Sequence, residues 1–300
     1  MTSAATDNLA LLAQPAHLAA SRFHLLARKL ADELTFGTDP SRFVGSGIDF
    51  AQSRPMQLGD SVRSIDWRVT ARTGRLHVKD YEASKRLGVY IIVDTSASMA
   101  AASSRVSKHD IAVWTTAVLA QLALNRRSPV AVVSGSDRAI LSRPTSSRAM
   151  VTRWVETLRT QGWNERTRLT DAVRSVEALS MNRAIVAVVS DLYDPSAPDA
   201  IKRLAQRHDI IVLRPRDRAE EGSLYAGFLH ASEAEDPAGE FIATGRARWF
   251  ADDGSSSTDS TTAGFVGSGI DFAELWTDRP LGPVLARILS PKRGPARVAR

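Results

Sequence analysis

The chain has 300 residues, 43% hydrophobic and 24% charged, the balance expected of a globular protein with room for one large domain or two modest ones. It has no cysteine, which excludes disulfides, thiolate metal sites and cysteine nucleophiles, and its six histidines form no HxxxH-type zinc pair. The formal net charge is +6, with arginine supplying most of the excess.

No apolar run approaches the roughly 20 residues of a membrane helix, and the N-terminal stretch lacks the basic start of a signal peptide. No membrane span and a cytoplasmic location are therefore expected.

Phe23, Leu26, Ala27, Leu30 and Leu34 recur at helical spacing and predict an amphipathic packing helix that ends before Gly37. The next region reads as short strands broken by turns at Gly59-Asp60 and Thr73-Gly74, the latter ahead of an alternating strand with Leu76, Val78 and Asp80. Charges of opposite sign pair up along it: Asp60 with Arg63, Asp66 with Arg68, and Arg72 with Asp80 or Glu82. Gly45-Ser46-Gly47 is not a phosphate loop, because no GK[ST] follows it. Asp66-Trp67-Arg68 reads in two ways. It is an exposed patch for a partner, since interfaces favour Trp and Arg, or Trp67 is a core aromatic and the ion pairs hold the strands in register.

Val89–Val93 is a β-branched and aromatic run, which predicts a strand buried on both faces. It ends in Asp94, followed by the hydroxyls of Thr95, Ser96 and Ser98. Ser107 and Asp110 then form a capping box for a helix that runs to about Leu124, apolar around most of its circumference. Further strands are expected at 129–133, 139–141, 184–189 and 209–213. Helices lie between them, marked by Met150, Val151, Trp154, Val155 and Leu158, by Leu169, Ala172, Val173, Val176 and Leu179, and by a start near Pro198. Such alternation implies a doubly wound, mostly parallel α/β sheet with right-handed crossovers.

Open α/β sheets gather the loops at their strand carboxyl ends into one crevice. Asp94, Ser96 and Ser98 follow one strand, Asp191 follows another, and Thr167 lies in a loop between two helices. Together they make an all-oxygen ligand set suited to Mg²⁺ or Mn²⁺. The plainer alternative is that Asp94 and the serines only cap the next helical turn.

Beyond Arg214 the pattern weakens: an acidic turn at 233–240, a Ser/Thr-rich loop at 254–262, a strand at 270–276 and a short helix at 280–289. Arg279, Arg287, Lys292, Arg293, Arg297 and Arg300 meet no acid after Asp278, so the tail is a solvated end or a surface for nucleic acid or an acidic protein. The stretch FVGSGIDFA occurs at 43–51 and again at 265–273, a single duplication rather than a repeat architecture.

The set Asp94, Ser96, Ser98, Thr167 and Asp191 resembles the metal-ion-dependent adhesion site of von Willebrand factor A domains in residue type and order. The run GDSVRSIDWRVTARTGRLHVKDYE leading into VYIIVDTSASM resembles the bacterial "domain of unknown function fifty-eight" family. This chain departs from that pattern at Met56, where an aromatic is usual, at Ser61, where a second acid is usual, and in the glycine-free surroundings of Thr167.

The resemblance implies a strand-rich N-terminal subdomain with a helix over 1–86, a von Willebrand factor A-like domain with the metal site over 87–215, and a C-terminal extension over 216–300. It also implies a non-enzymatic, metal-dependent binding protein whose ion meets an acidic group on a partner, with a MoxR-type AAA+ ATPase as that partner. Two alternatives stand beside it. One is a metal-dependent phosphoester hydrolase with Asp94 and Asp191 as ligands, for which His109 is the nearest candidate base. The other is nucleic-acid binding through the basic tail.

Overall fold

The structure, a computed structural model, describes residues 20–37, 49–57, 59–82, 87–100, 102, 106–136, 140–160, 166–180, 182–218, 223–232, 240–248, 263–290 and 298–299. The chain opens with helix α1 (Ala20–Gly37), strand β1 (Asp49–Pro55), helix α2 (Trp67–Thr73) and strand β2 (His77–Glu82). There follow β3 (Val89–Val93), α3 (Lys108–Asn125), β4 (Val130–Ser134), α4 (Arg148–Thr160), α5 (Leu169–Leu179), β5 (Ile185–Val189), α6 (Ala197–Leu204) and β6 (Asp209–Arg216). The last elements are β7 (Ser223–Ser232), β8 (Glu240–Arg248), β9 (Asp271–Trp276), α7 (Leu281–Leu289) and β10 (Val298–Ala299).

The strands β3, β4 and β5 are buried at every position, as their unbroken apolar sequences require. They lie in a parallel sheet of order β10-β9-β6-β5-β3-β4, in which β10 is a two-residue addition at one edge. Alternate residues serve opposite faces. Ile91, Val132, Ala187 and Leu213 pack with α1, α3, α4 and α7, while Ile92, Val133, Val188 and Val212 pack with α5 and α6. The sheet is therefore covered on both sides, and each fully buried large side chain contributes about 1.5–3 kcal/mol. On the first face the Phe23 ring of α1 meets Trp114 of α3 edge-on at 5.0 Å, which fixes the N-terminal helix to the core.

This sheet takes its strands from the second and third segments expected from the sequence, and the first segment covers it with α1. From the last segment, β9 pairs with β6 along its length and α7 packs into the core with α1. Next to β4, residues 140–145 return antiparallel: Ser142 N donates to Val132 O and Thr145 N to Val130 O. The strand expected at 139–141 is thus the start of a longer, bulged return, with residue 139 outside the described residues.

In the N-terminal segment, β1 and β2 pair antiparallel, but the residues between them are not all extended. Asp66 caps α2, accepting from Arg68 N and Val69 N, and Gly74 ends it with φ 67°, the left-handed conformation that glycine adopts without strain. Two caps thus hold as a helix a short segment with no helical apolar period. A second antiparallel pair, β7 with β8, forms where only loops were expected. Of the duplicated stretch, 43–48 lie outside the described residues, as do 233–239, 254–262 and the basic residues Lys292, Arg293, Arg297 and Arg300.

The sheet order makes β3 and β5 neighbours, in register from Val89 opposite Ile185 to Val93 opposite Val189. The chain leaves β3 through α3 on one face and leaves β5 through α6 on the other. The two connections diverge, so a crevice opens at the carboxyl ends of these two strands, where doubly wound sheets bind ligands.

Candidate functional site

Asp94 is the first residue beyond β3 and is fully buried. Its backbone N–H extends the sheet by donating to Val189 O at 2.8 Å. The chain then turns tightly: Ser96 N donates to Asp94 Oδ1 at 3.0 Å, and the hydroxyls of Ser96 and Ser98 lie 3.0 Å apart. Met99, buried in the core, anchors this turn. Thr95 turns the other way, its hydroxyl 2.6 Å from that of Ser136, just past β4.

Beyond β5, Ser190 Oγ donates to Asp94 Oδ2 at 2.6 Å and accepts from Leu192 N at 2.9 Å. Leu192 has φ 65°, a left-handed conformation that costs a bulky residue of order 1–3 kcal/mol. That bend directs Asp191 into the crevice. Its carbonyl accepts from Arg214 Nε at 3.1 Å, and its side chain is 1% exposed. Lys108 Nζ donates to Asp191 Oδ2 at 2.8 Å, whereas Asp191 Oδ1 is buried with no hydrogen-bond partner. The lysine sits in the first turn of α3, which is closed by the expected capping box between Ser107 and Asp110.

Burial pushes the Asp94 carboxyl up to about 7, the neighbouring Asp191 charge adds to the effect, and the bonds from Ser190 and Ser96 oppose it.

Among the described residues no group of three or more His, Cys, Asp or Glu is placed to hold a metal ion. An ion here needs the hydroxyls as well as the two acids. The donors fit a small divalent cation: Asp94, Asp191, Ser96 and Ser98 are all hard oxygen donors, and Asp191 Oδ1 is a buried acceptor with nothing bonded to it.

Asp94, Ser96, Ser98 and Asp191 come together at the switch between β3 and β5. Thr167 reaches the rim by its backbone, bridging Ser136, with Arg168 N donating to Gly135 O at 2.7 Å. His109 is buried and donates from Nε2 to Leu158 O at 3.0 Å, which commits it to α4.

In the partner-binding group expected from the sequence, Asp66 is buried as the α2 cap, while Trp67 is 66% exposed and Arg68 is exposed beside it. Asp60 pairs with Arg54 rather than Arg63, through two bonds of 2.8 Å that hold its carboxyl well below the usual range, at about 2. Sequence reasoning missed Ser190 and Lys108. Ser190 stands directly before Asp191. Lys108 occupies a helix first turn, where a cation opposes the helix dipole, a signal that it serves something other than the helix.

A family model described as "Protein of unknown function DUF58" matches residues 52–249. The chain belongs to that family. This DUF58 member is also similar to uncharacterized proteins of Mycobacterium bovis and Mycobacterium tuberculosis, 26% identical over 201 residues. The match takes in 64% of this chain and 63% of those relatives, so it spans less than two thirds of their length.

Among solved structures it is similar to the conserved hypothetical protein BatB from Bacteroides thetaiotaomicron, at 15% identity and a TM-score of 0.44, covering 68% of this chain and 97% of that one. It is also similar to an uncharacterized membrane spanning protein from Vibrio fischeri, at 16% identity and a TM-score of 0.22, covering 62% and 89%. The cytoplasmic location expected from the sequence is withdrawn, since these likenesses fix no compartment for this chain. No helix among the described residues is long and apolar enough to cross a membrane, and this alone fixes no compartment.

Proposed function

We propose that this DUF58 member is a non-enzymatic, metal-dependent protein-binding module of von Willebrand factor A type, whose crevice at β3 and β5 takes an acidic group of a partner. The observation that carries this reading is the pair of buried carboxylates, Asp94 and Asp191, set among serine hydroxyls with one carboxylate oxygen unbonded. Asp94, Ser96, Ser98 and Asp191 would hold Mg²⁺ or Mn²⁺, with Thr167 joining from the rim. When bound, such an ion keeps residual positive charge, because its hydroxyl ligands are neutral, and so favours a carboxylate from outside.

The exposed Trp67 and Arg68 supply a second contact surface. The partner implied by the resemblance to DUF58 chains is a MoxR-type AAA+ ATPase, with the pair assembling or remodelling another complex.

The test is an affinity capture from native lysate with wild type in Mg²⁺, wild type in EDTA, and Asp94→Ala in Mg²⁺. Retention of an AAA+ ATPase by wild type in Mg²⁺ alone supports the reading. Retention of the same proteins in all three arms would overturn it.

A further inference from the structure

Lys108 is the least expected residue of the crevice. Its side chain is 0% exposed, at a helix start that disfavours cations, and a buried ammonium persists only when paired. Nζ takes Asp191 Oδ2 at 2.8 Å and lies 5.3 Å from the centre of the Tyr193 ring. It engages one oxygen of Asp191 and leaves Oδ1 of the same carboxylate unbonded. The lysine therefore shares the carboxylate with whatever cation meets Oδ1, at a separation where two cations in a poorly solvated crevice repel strongly.

The charge count sharpens this. Two ionised aspartates and the Lys108 ammonium sum to one negative charge; a divalent ion turns that sum to one positive charge, and the Arg214 guanidinium, whose Nε donates to Asp191 O at 3.1 Å, adds to the positive side.

We propose that Lys108 is a tethered counter-cation of the crevice: it neutralises Asp191 in the metal-free protein, opposes entry of a divalent ion, and so ties loading of the site to arrival of an anionic group. This rests on the metal reading above and adds its regulation. The carboxylate of a partner cancels the excess charge, so ion and partner load together. Neither binds tightly alone.

The test is calorimetric titration of Mg²⁺ into wild type, Lys108→Met and Lys108→Arg, each with and without acetate at constant ionic strength. Lys108→Met is expected to bind Mg²⁺ at least about tenfold more tightly than wild type, because the repelling charge is gone. Lys108→Arg, which keeps the charge, stays near wild type. Acetate tightens Mg²⁺ binding to wild type and to Lys108→Arg but leaves Lys108→Met unchanged.

Lys108→Met binding Mg²⁺ no more tightly than wild type overturns the proposal and reduces Lys108 to a group that orients Asp191. If neither wild type nor Lys108→Met binds Mg²⁺, the metal reading fails and this inference fails with it. Should Lys108→Met not fold, the wild-type titrations decide: Mg²⁺ binding that acetate does not tighten rejects the coupling.

Discussion

Ser190 Oγ donates to Asp94 Oδ2 at 2.6 Å, joining the ends of two parallel strands whose residues are 96 positions apart in sequence. The bond satisfies a carboxylate with no access to solvent, and the same hydroxyl accepts from Leu192 N at the strained bend. Ser190→Ala should destabilise the protein by about 1–3 kcal/mol, the cost of leaving a buried acceptor unsatisfied. It should also weaken Mg²⁺ binding by about 10–100-fold through loss of ligand orientation. Urea unfolding and metal titration check the two effects. A neutral Ser190→Ala would show that the hydroxyl does not position Asp94.

The Asp94 carboxyl gives the metal-free protein a pH dependence of definite sign. Its value in the folded state, about 7, lies above that in the unfolded chain, about 4. The folded state holds the proton more tightly, so this stabilisation is complete below about pH 4 and is lost as pH rises through about 7. In EDTA, the wild-type melting temperature should fall between about pH 4 and 7 and level off above, and that fall should vanish in Asp94→Asn. Identical pH profiles for the two proteins would rule out Asp94 as the source.

These effects mark how far the sequence could be read. The run Val89–Val93 announces a buried strand because every residue in it is apolar, and the acid and hydroxyls after it announce polar groups at a strand end. The Ser107 and Asp110 box was legible because capping is local. Helix α2 was not, since WRVTART has no helical apolar period and depends on its two caps. Lys108 meets Asp191 across 83 positions, a contact that exists only once the sheet brings α3 and β5 together.

The duplicated stretch makes the point within one chain. Asp49-Phe50-Ala51 enters an antiparallel pair with β2, while Asp271-Phe272-Ala273 enters the parallel sheet beside β6. The tripeptide favours a strand in both places. Its neighbours decide which kind.

The α2 region separates a folding residue from a binding residue within one dipeptide. Asp66 is buried and caps the helix with two bonds, so Asp66→Ala should cost about 0.5–2 kcal/mol. Trp67, 66% exposed, should cost less than about 0.5 kcal/mol on change to alanine. If the patch contacts the partner, Trp67→Ala loses retention in the affinity capture while its unfolding curve overlays wild type. Full retention by Trp67→Ala would remove this patch from the interface.

Metal preference follows from the donors. The crevice offers two carboxylates and a few hydroxyls, too few for the six to eight oxygens Ca²⁺ prefers but enough for an octahedral ion completed by water. Mn²⁺ shares that geometry and stands low in the general order of affinities, so nitrogen-free oxygen sites accept it alongside Mg²⁺. At a free ion concentration about 100 times its Kd, binding to the folded state alone adds about 2.7 kcal/mol. For a chain of this size the melting temperature should rise by several degrees with Mg²⁺ or Mn²⁺ and by less with Ca²⁺ at the same concentration. Asp94→Ala removes one of the two acids, and thermal melts of that variant should not respond to any of the three ions. A larger shift with Ca²⁺ than with Mg²⁺ would mean that the ligand shell is wider than Asp94, Ser96, Ser98 and Asp191 can form.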